Sequence, residues 1–261
     1  MRYFRLFAAF FRVNLMGETA YRMNFFIQLF QSVLNLGMSL AGLAIIFSYT
    51  NLLGGWHPDE VLALVGVYFL VGGIIGVIIQ PSMEEFITSV RDGTLDFTLT
   101  KPEDAQVIVS MQRVAIFEVI DIVMGLGVLI WALVRLGETI GLLQAVEFIV
   151  MLAAGGFIIY SFWLVLATLA FWFVRVENIL VIFQSMYEAG RWPVSLYPGW
   201  LRYGLTFVIP VAFATTVPAE ALTGRLDWQT SLIAVGLAVV LLFLSRRFWL
   251  FGLKHYSGTS A

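Results

Sequence analysis

The chain contains no cysteine. That excludes a disulfide framework, a thiol nucleophile and thiolate metal sites, although it says little about compartment. Charge is scarce too: Asp, Glu, Lys and Arg make up 12% of the 261 residues, against 60% hydrophobic residues, and the mean hydropathy is +0.91. A soluble domain of this length needs far more charge to cover its surface, so the bilayer is the solvent for much of the chain. The net charge of −2 offers no basic field for nucleic acid. There are two histidines, His57 and His255, which the span assignment below places on opposite sides of the membrane, where they cannot share a metal. A GxxxxGK[ST] loop is missing as well, so a Walker mechanism on this chain is excluded. The middles of the clear apolar runs hold no acid or base, unlike most ion pumps and proton-coupled transporters. An intramembrane enzyme is disfavoured for want of a catalytic constellation; it would need Glu118, Asp121 and Glu188 to converge, and the assignment puts Glu188 on the other side.

What is present is a series of uncharged runs long enough, at roughly 20 residues, to cross a bilayer as helix. Met23 to Tyr49, Val61 to Met83, Val114 to Val134, Phe148 to Val174 and Trp228 to Ser245 qualify, the third carrying Glu118 and Asp121 in its first turns. Span two is rich in small residues, and Gly72 and Gly76 form a GxxxG face suited to close helix packing or to the wall of a pathway. The opening "MRYFRLFAAFFRVNLMGETAYR" interleaves Arg2, Arg5, Arg12 and Arg22 with Phe and Leu, which reads as a retained amphipathic interfacial helix rather than a cleaved signal. The tail "HYSGTSA" reads as a short disordered end.

Asn178 to Arg225 is harder, because Pro210 and Pro218 break its apolar run and each proline removes a backbone donor. Two paths are open. In one, a span ends near Trp192 and a re-entrant hairpin follows; in the other, Tyr203 to Ala219 is the span. Orientation follows from the bases. Arg2, Arg5, Arg12, Arg22, Arg91, Lys101, Arg113, Arg175, Arg246, Arg247 and Lys254 gather on one side and Arg135, Arg191, Arg202 and Arg225 on the other, so both termini are expected in the cytoplasm. Charge alone prefers the second path, which would move Arg191 and Arg202 inside.

Between spans two and three lies "SVRDGTLDFTLTKPEDAQ". Its Asp92-Gly93 reads as a turn, Leu95, Phe97 and Leu99 alternate with polar neighbours, and "PEDAQ" reads as a helix start. The stretch is either a solvated loop on lipid headgroups or an ordered element that docks a partner.

The amphipathic N-terminus, the "RDGTLDFTLTKP" loop, "RWPVSLYPGWLRYGLTFVIPVAFATTVPAEALTG" and the closing "RRFWLFGLKHYSG", in this order and spacing, resemble the ABC-2 type permeases. The likeness is to the bacterial group in which two paralogous permeases accompany one ATPase. The resemblance implies a single all-α integral membrane domain over 1–261 with six transmembrane helices, like the type V exporters. It places an amphipathic elbow at 1–22, a cytoplasmic coupling region at 84–112 and re-entrant half-helices at 193–225, between spans five and six. It is this resemblance that decides for the re-entrant path. It implies docking of the ATPase through Arg91, Asp92, Gly93, Asp96, Phe97, Lys101, Pro102 and Glu103, and an extracellular gate at Trp192, Pro193, Tyr197, Pro198, Pro210 and Pro218. Glu118 and Asp121 become interface-level acids near Arg113. No cofactor is expected on this chain; ATP and Mg belong to the partner ATPase. The expected partners are cytoplasmic ABC ATPase subunits, a second permease in a homodimer or paralogous heterodimer, and lipid of the inner membrane. The cargo is expected to be amphipathic or hydrophobic. The alternative is a motor-free channel or membrane scaffold.

Overall fold

The computed structural model describes residues 2–19, 22–137, 141–173 and 177–256; Arg175 and the end of the tail lie outside the described residues. Among those described there is no strand, only a bridge between Leu53 and Trp56. Helices α1 (Arg2–Thr19) and α2 (Arg22–Tyr49) open the chain. A turn through Gly54 and Gly55, both at positive φ, reverses it. Pro58 then starts α3 (Pro58–Ile74), in the position where its missing N–H costs nothing, and the His57 N–H donates to Glu60 Oε2 at 2.7 Å. α3 continues through a π-helical turn, Ile75–Ile79, into α4 (Gln80–Arg91). The second apolar run is therefore one helix of 34 residues, longer at both ends than the Val61–Met83 expected from hydropathy.

Two short helices follow, α5 (Asp96–Leu99) and α6 (Ala105–Met111). A 3₁₀ turn, Ile116–Glu118, leads into α7 (Val119–Leu136), and then come α8 (Leu142–Thr168) and α9 (Glu177–Tyr187), the last continued as 3₁₀ helix to Arg191. Three short pieces, α10 (Gly199–Tyr203), α11 (Val211–Ala214) and α12 (Thr216–Leu222), precede α13 (Trp228–Leu253). Five helices are long and apolar enough to cross a bilayer, or six if the pair Gly199–Val208 and Val211–Leu222, bent by 67°, counts as one span.

Contacts at the two ends of the bundle show how the chain runs. At the distal end Arg225 reaches Glu60 at 2.9 Å and lies over the Trp56 ring, Arg135 reaches Asp59 at 2.8 Å, and Ser195 Oγ donates to the Gly54 carbonyl at 3.3 Å. At the proximal end Asn14 donates to the Gln112 carbonyl, Lys101 lies over Phe10, and Phe171 packs on Phe86, Trp249 and Tyr256. Ser195 and Arg225 thus stand at the same end, so the bent pair between them enters and returns. Residues 177–195 carry the chain back from the proximal end. Arg202 donates to the Ser195 carbonyl at 2.5 Å, which sets it at the distal end.

The main core is built around α3, buried on every side from Val61 to Val71. Its tightest neighbour is α7. A Cβ on Gly66 would stand 2.7 Å from Leu129 N, one on Gly73 2.7 Å from Ile122 N, and one on Gly125 2.8 Å from the Gly66 carbonyl oxygen. Backbones approach this closely only where the side chain is a hydrogen. The packing glycines are therefore Gly66, Gly73 and Gly125, whereas Gly72 and Gly76 face a cavity described below.

Candidate functional site

The loop between the second and third long helices is anchored at both ends and bare in its middle. Gly93, at φ +69°, ends α4 in the left-handed conformation, and the Thr94 and Leu95 N–H groups close back on the Ser89 carbonyl at 2.9 and 3.2 Å. The expected Asp92-Gly93 turn is therefore the C-terminal cap of a helix. Leu95 is buried; Asp96–Leu99 then form one helical turn that leaves Phe97 74% exposed and Leu99 outward. The alternation of apolar and polar residues here is not a strand, since Leu95 and Phe97 face in different senses of a helical turn. Lys101 and Pro102 are exposed, Asp96 and Glu103 half-buried, and Arg91 pairs with Asp92 at 3.2 Å on the surface.

The loop closes on α6, which Asp104 caps by accepting from the Gln106 and Val107 N–H groups at 2.9 and 3.4 Å. The same carboxylate takes a two-pronged contact from Arg246 of α13, at 2.5 and 3.0 Å. The Arg246 guanidinium, ahead of every other influence, holds the Asp104 carboxyl below its ordinary range. Gln106 extends the network to Arg246 and to the Tyr160 hydroxyl of α8. Glu18 of α1 accepts from the free N–H groups of Ile116 and Phe117 at 2.7 and 3.3 Å, capping the third long helix from another element. Sequence reasoning did not find these ties. An acid at an N-cap position was legible; its partner 142 residues away was not.

At the distal end, Trp192 is half-buried, Pro193 buried, and Tyr197 donates to the Ala189 carbonyl at 2.9 Å, while Pro198 is exposed. Pro210 stands at the bend and Pro218 in the first turn of α12, where a proline is tolerated. The two limbs differ. Val211–Ala219 is buried throughout, whereas Trp200, Tyr203, Phe207 and Val208 are exposed. The buried limb lies against α8, where a Cβ on Gly155 would come within 2.9 Å of Ala214 Cα.

A cavity of about 600 Å³ opens between α3, α4, α7 and α9. It reaches from Glu84, Glu85 and Arg113 at the proximal end to Tyr68, Tyr187, Glu188 and Arg191. Glu118 and Asp121 line it too, so the three acids expected on opposite sides share one chamber. The reason is the 177–195 passage, which carries Glu188 inward against the middle of α3. Arg113 is not the partner of Glu118 or Asp121: it pairs with Glu85 at 2.7 Å. His57 and His255 stand at opposite ends, and among the described residues no group of three His, Cys, Asp or Glu is placed to hold a metal ion.

A family model described as "ABC-2 family transporter protein" matches residues 33–260. The chain belongs to this family. No curated protein and no solved structure matches it. As an ABC-2 permease it is a multi-pass, all-α membrane component of transport rather than a catalyst, and the family implies association with an ABC ATPase component.

Proposed function

We propose that this ABC-2 permease is the membrane-spanning half of an ATP-driven exporter of the cytoplasmic membrane, with both termini in the cytoplasm and six spans. A second permease, identical or paralogous, completes it, and ATP and Mg are bound by separate ATPase subunits. The family match over 33–260 carries the reading. The loop geometry supports the assignment of ATPase docking to Arg91, Asp92, Gly93, Asp96, Phe97, Lys101, Pro102 and Glu103: a short helix with a bare phenyl ring, tied by Asp104 and Lys101 to α13 and α1, transmits a push to several helices at once. Trp192, Pro193, Tyr197, Pro198, Pro210 and Pro218 are assigned to the outer gate. Burial of Val211–Ala219 supports this, because irregular backbone at membrane depth is stable only where protein covers it. The cargo is amphipathic or hydrophobic.

The test is co-purification with the ATPase encoded nearest this gene, for the wild type and for Asp96→Arg with Phe97→Ala, after confirming that the variant inserts. Loss of the ATPase from the variant alone is the expected result. A wild type that holds no candidate ATPase overturns the motor-driven reading in favour of a channel or scaffold.

A further inference from the structure

The cavity joins two things that a bilayer interior disfavours, open space and acidic side chains without a salt-bridge partner. Glu118, Asp121 and Glu188 line it, and none has a cation at ion-pair distance among the described residues. Of the two arginines that line the cavity, Arg113 pairs with Glu85 at 2.7 Å and Arg191 lies over the Tyr68 ring at 5.2 Å. The lining holds six acids, Glu18, Glu84, Glu85, Glu118, Asp121 and Glu188, against two arginines, so the chamber is acidic; ionisable groups at that depth are retained where they serve a ligand or a pathway.

The walls match a particular kind of counter-charge. Tyr68 and Tyr187 stack at 5.0 Å, and Trp163 adds a third ring. Aromatic faces attract cations, and more strongly out of water. Trp163 is 1% exposed, yet its indole N–H has no acceptor. Buried polar atoms are nearly always paired, so this donor points to a guest in the cavity, whose polar atom or aromatic face can accept it. Gly72 and Gly76 keep the space open. A Cβ at Gly76 would stand 3.0 Å from a Glu118 carboxylate oxygen, and one at Gly72 3.5 Å from the Tyr187 ring. The volume falls in the range of small-molecule sites.

We propose that this cavity binds an organic cation with an aromatic or bulky apolar body, and that Glu118, Asp121 and Glu188 provide its counter-charge. The proposal rests on the permease reading in treating that cation as the cargo. It narrows the amphipathic class to one sign of charge.

The experiment compares two ions of nearly equal size and opposite charge, tetraphenylphosphonium and tetraphenylborate. Each is measured by equilibrium dialysis against the full-length chain in lipid nanodiscs, with empty nanodiscs subtracted. Saturable binding of the phosphonium, at least tenfold tighter than the borate, is expected. Asp121→Asn with Glu188→Gln should weaken it at least tenfold, and Glu118→Gln alone, the milder change should the double variant not fold, about threefold or more. Glu147→Gln, at the distal end where Glu147 accepts from Ser231, should bind as the wild type does. Equal binding of the two ions, no saturable binding, or undiminished binding in the folded acid variants overturns the proposal. ATPase co-purification on the same preparations separates the two readings: ATPase held without cation binding sinks only this inference, and cation binding without any ATPase sinks only the motor.

Discussion

Helix α2 and the continuous helix that begins with α3 are both uncharged through their middles, yet 11% of the most apolar stretch of the first is buried against 78% of that of the second. Hydropathy alone cannot separate them, because lipid tails are as apolar as leucine and give no reason for one helix to sit inside another. What separates them is whether small residues meet a neighbour. Gly37 and Gly42 of α2 have open space where a Cβ would go, while Gly66 of α3 and Gly125 of α7 each touch the other helix's backbone. The same residue type is idle in one helix and sets the interhelical distance in the other.

One substitution breaks this comparison directly. Gly125→Ala puts a methyl group against Leu70 N, a backbone atom that cannot swing aside, so α3 and α7 must part. Overpacking of that kind costs about 1–3 kcal/mol. Gly37→Ala and Gly42→Ala meet nothing, and alanine is the better helix former by up to about 1 kcal/mol. Thermal unfolding in one detergent should therefore show Gly125→Ala well below the wild type and the α2 variants level with it or above. An equal loss at Gly37 would mean that α2 is packed as tightly as α3.

A finer contrast lies between adjacent acids at the distal end. The Glu60 side chain is 12% exposed and meets Arg225, whereas Asp59 is 29% exposed and meets an Arg135 that is half in solvent. Glu60→Gln removes a shielded ionic partner and also weakens the contact with the His57 N–H, so about 2 kcal/mol is expected. Asp59→Asn breaks a solvent-screened pair and should cost about 0.5 kcal/mol. Comparing the two variants' unfolding midpoints checks whether burial, rather than the mere presence of a pair, decides the effect.

The same division between period and partner explains what the sequence made legible. Apolar length found all five long helices, since that signal is local, and the prolines at 210 and 218 correctly marked a broken segment. The course of residues 178–225 was not legible from charge, because the positive-inside count weighed Arg191 and Arg202 by number and could not see that Arg202 is held beside Ser195. Glu188 was misplaced for a related reason. A short passage ending in acid and base reads as a helix leaving the membrane, and only the contact of Tyr187 with Tyr68 reveals that those charges face inward. Of the two roles the GxxxG spacing left open, Gly72 and Gly76 take the wall of a cavity, while Gly66 and Gly73 make the close helix contacts.

A further expected effect concerns the tie at the proximal end. Asp104 does two things, capping α6 and gripping Arg246. Asparagine caps a helix as well as aspartate does, so Asp104→Asn removes the charge while leaving the cap, and at this partly exposed site the loss should be about 1 kcal/mol. Asp104→Ala removes both functions and should cost about 1 kcal/mol more. The pH dependence has a definite sign. Arg246 depresses the folded-state pKa of Asp104 below its unfolded value, so the ion pair's contribution is fully present above the unfolded value, about 3.9, and fades as the pH falls through the lower folded one. The gap in unfolding midpoint between the wild type and Asp104→Asn should thus stay constant from pH 7 to pH 5 and close only below about pH 4. A gap that closed near neutrality would assign the stabilisation to some other group and leave the proximal loop tied to α13 by Gln106 alone.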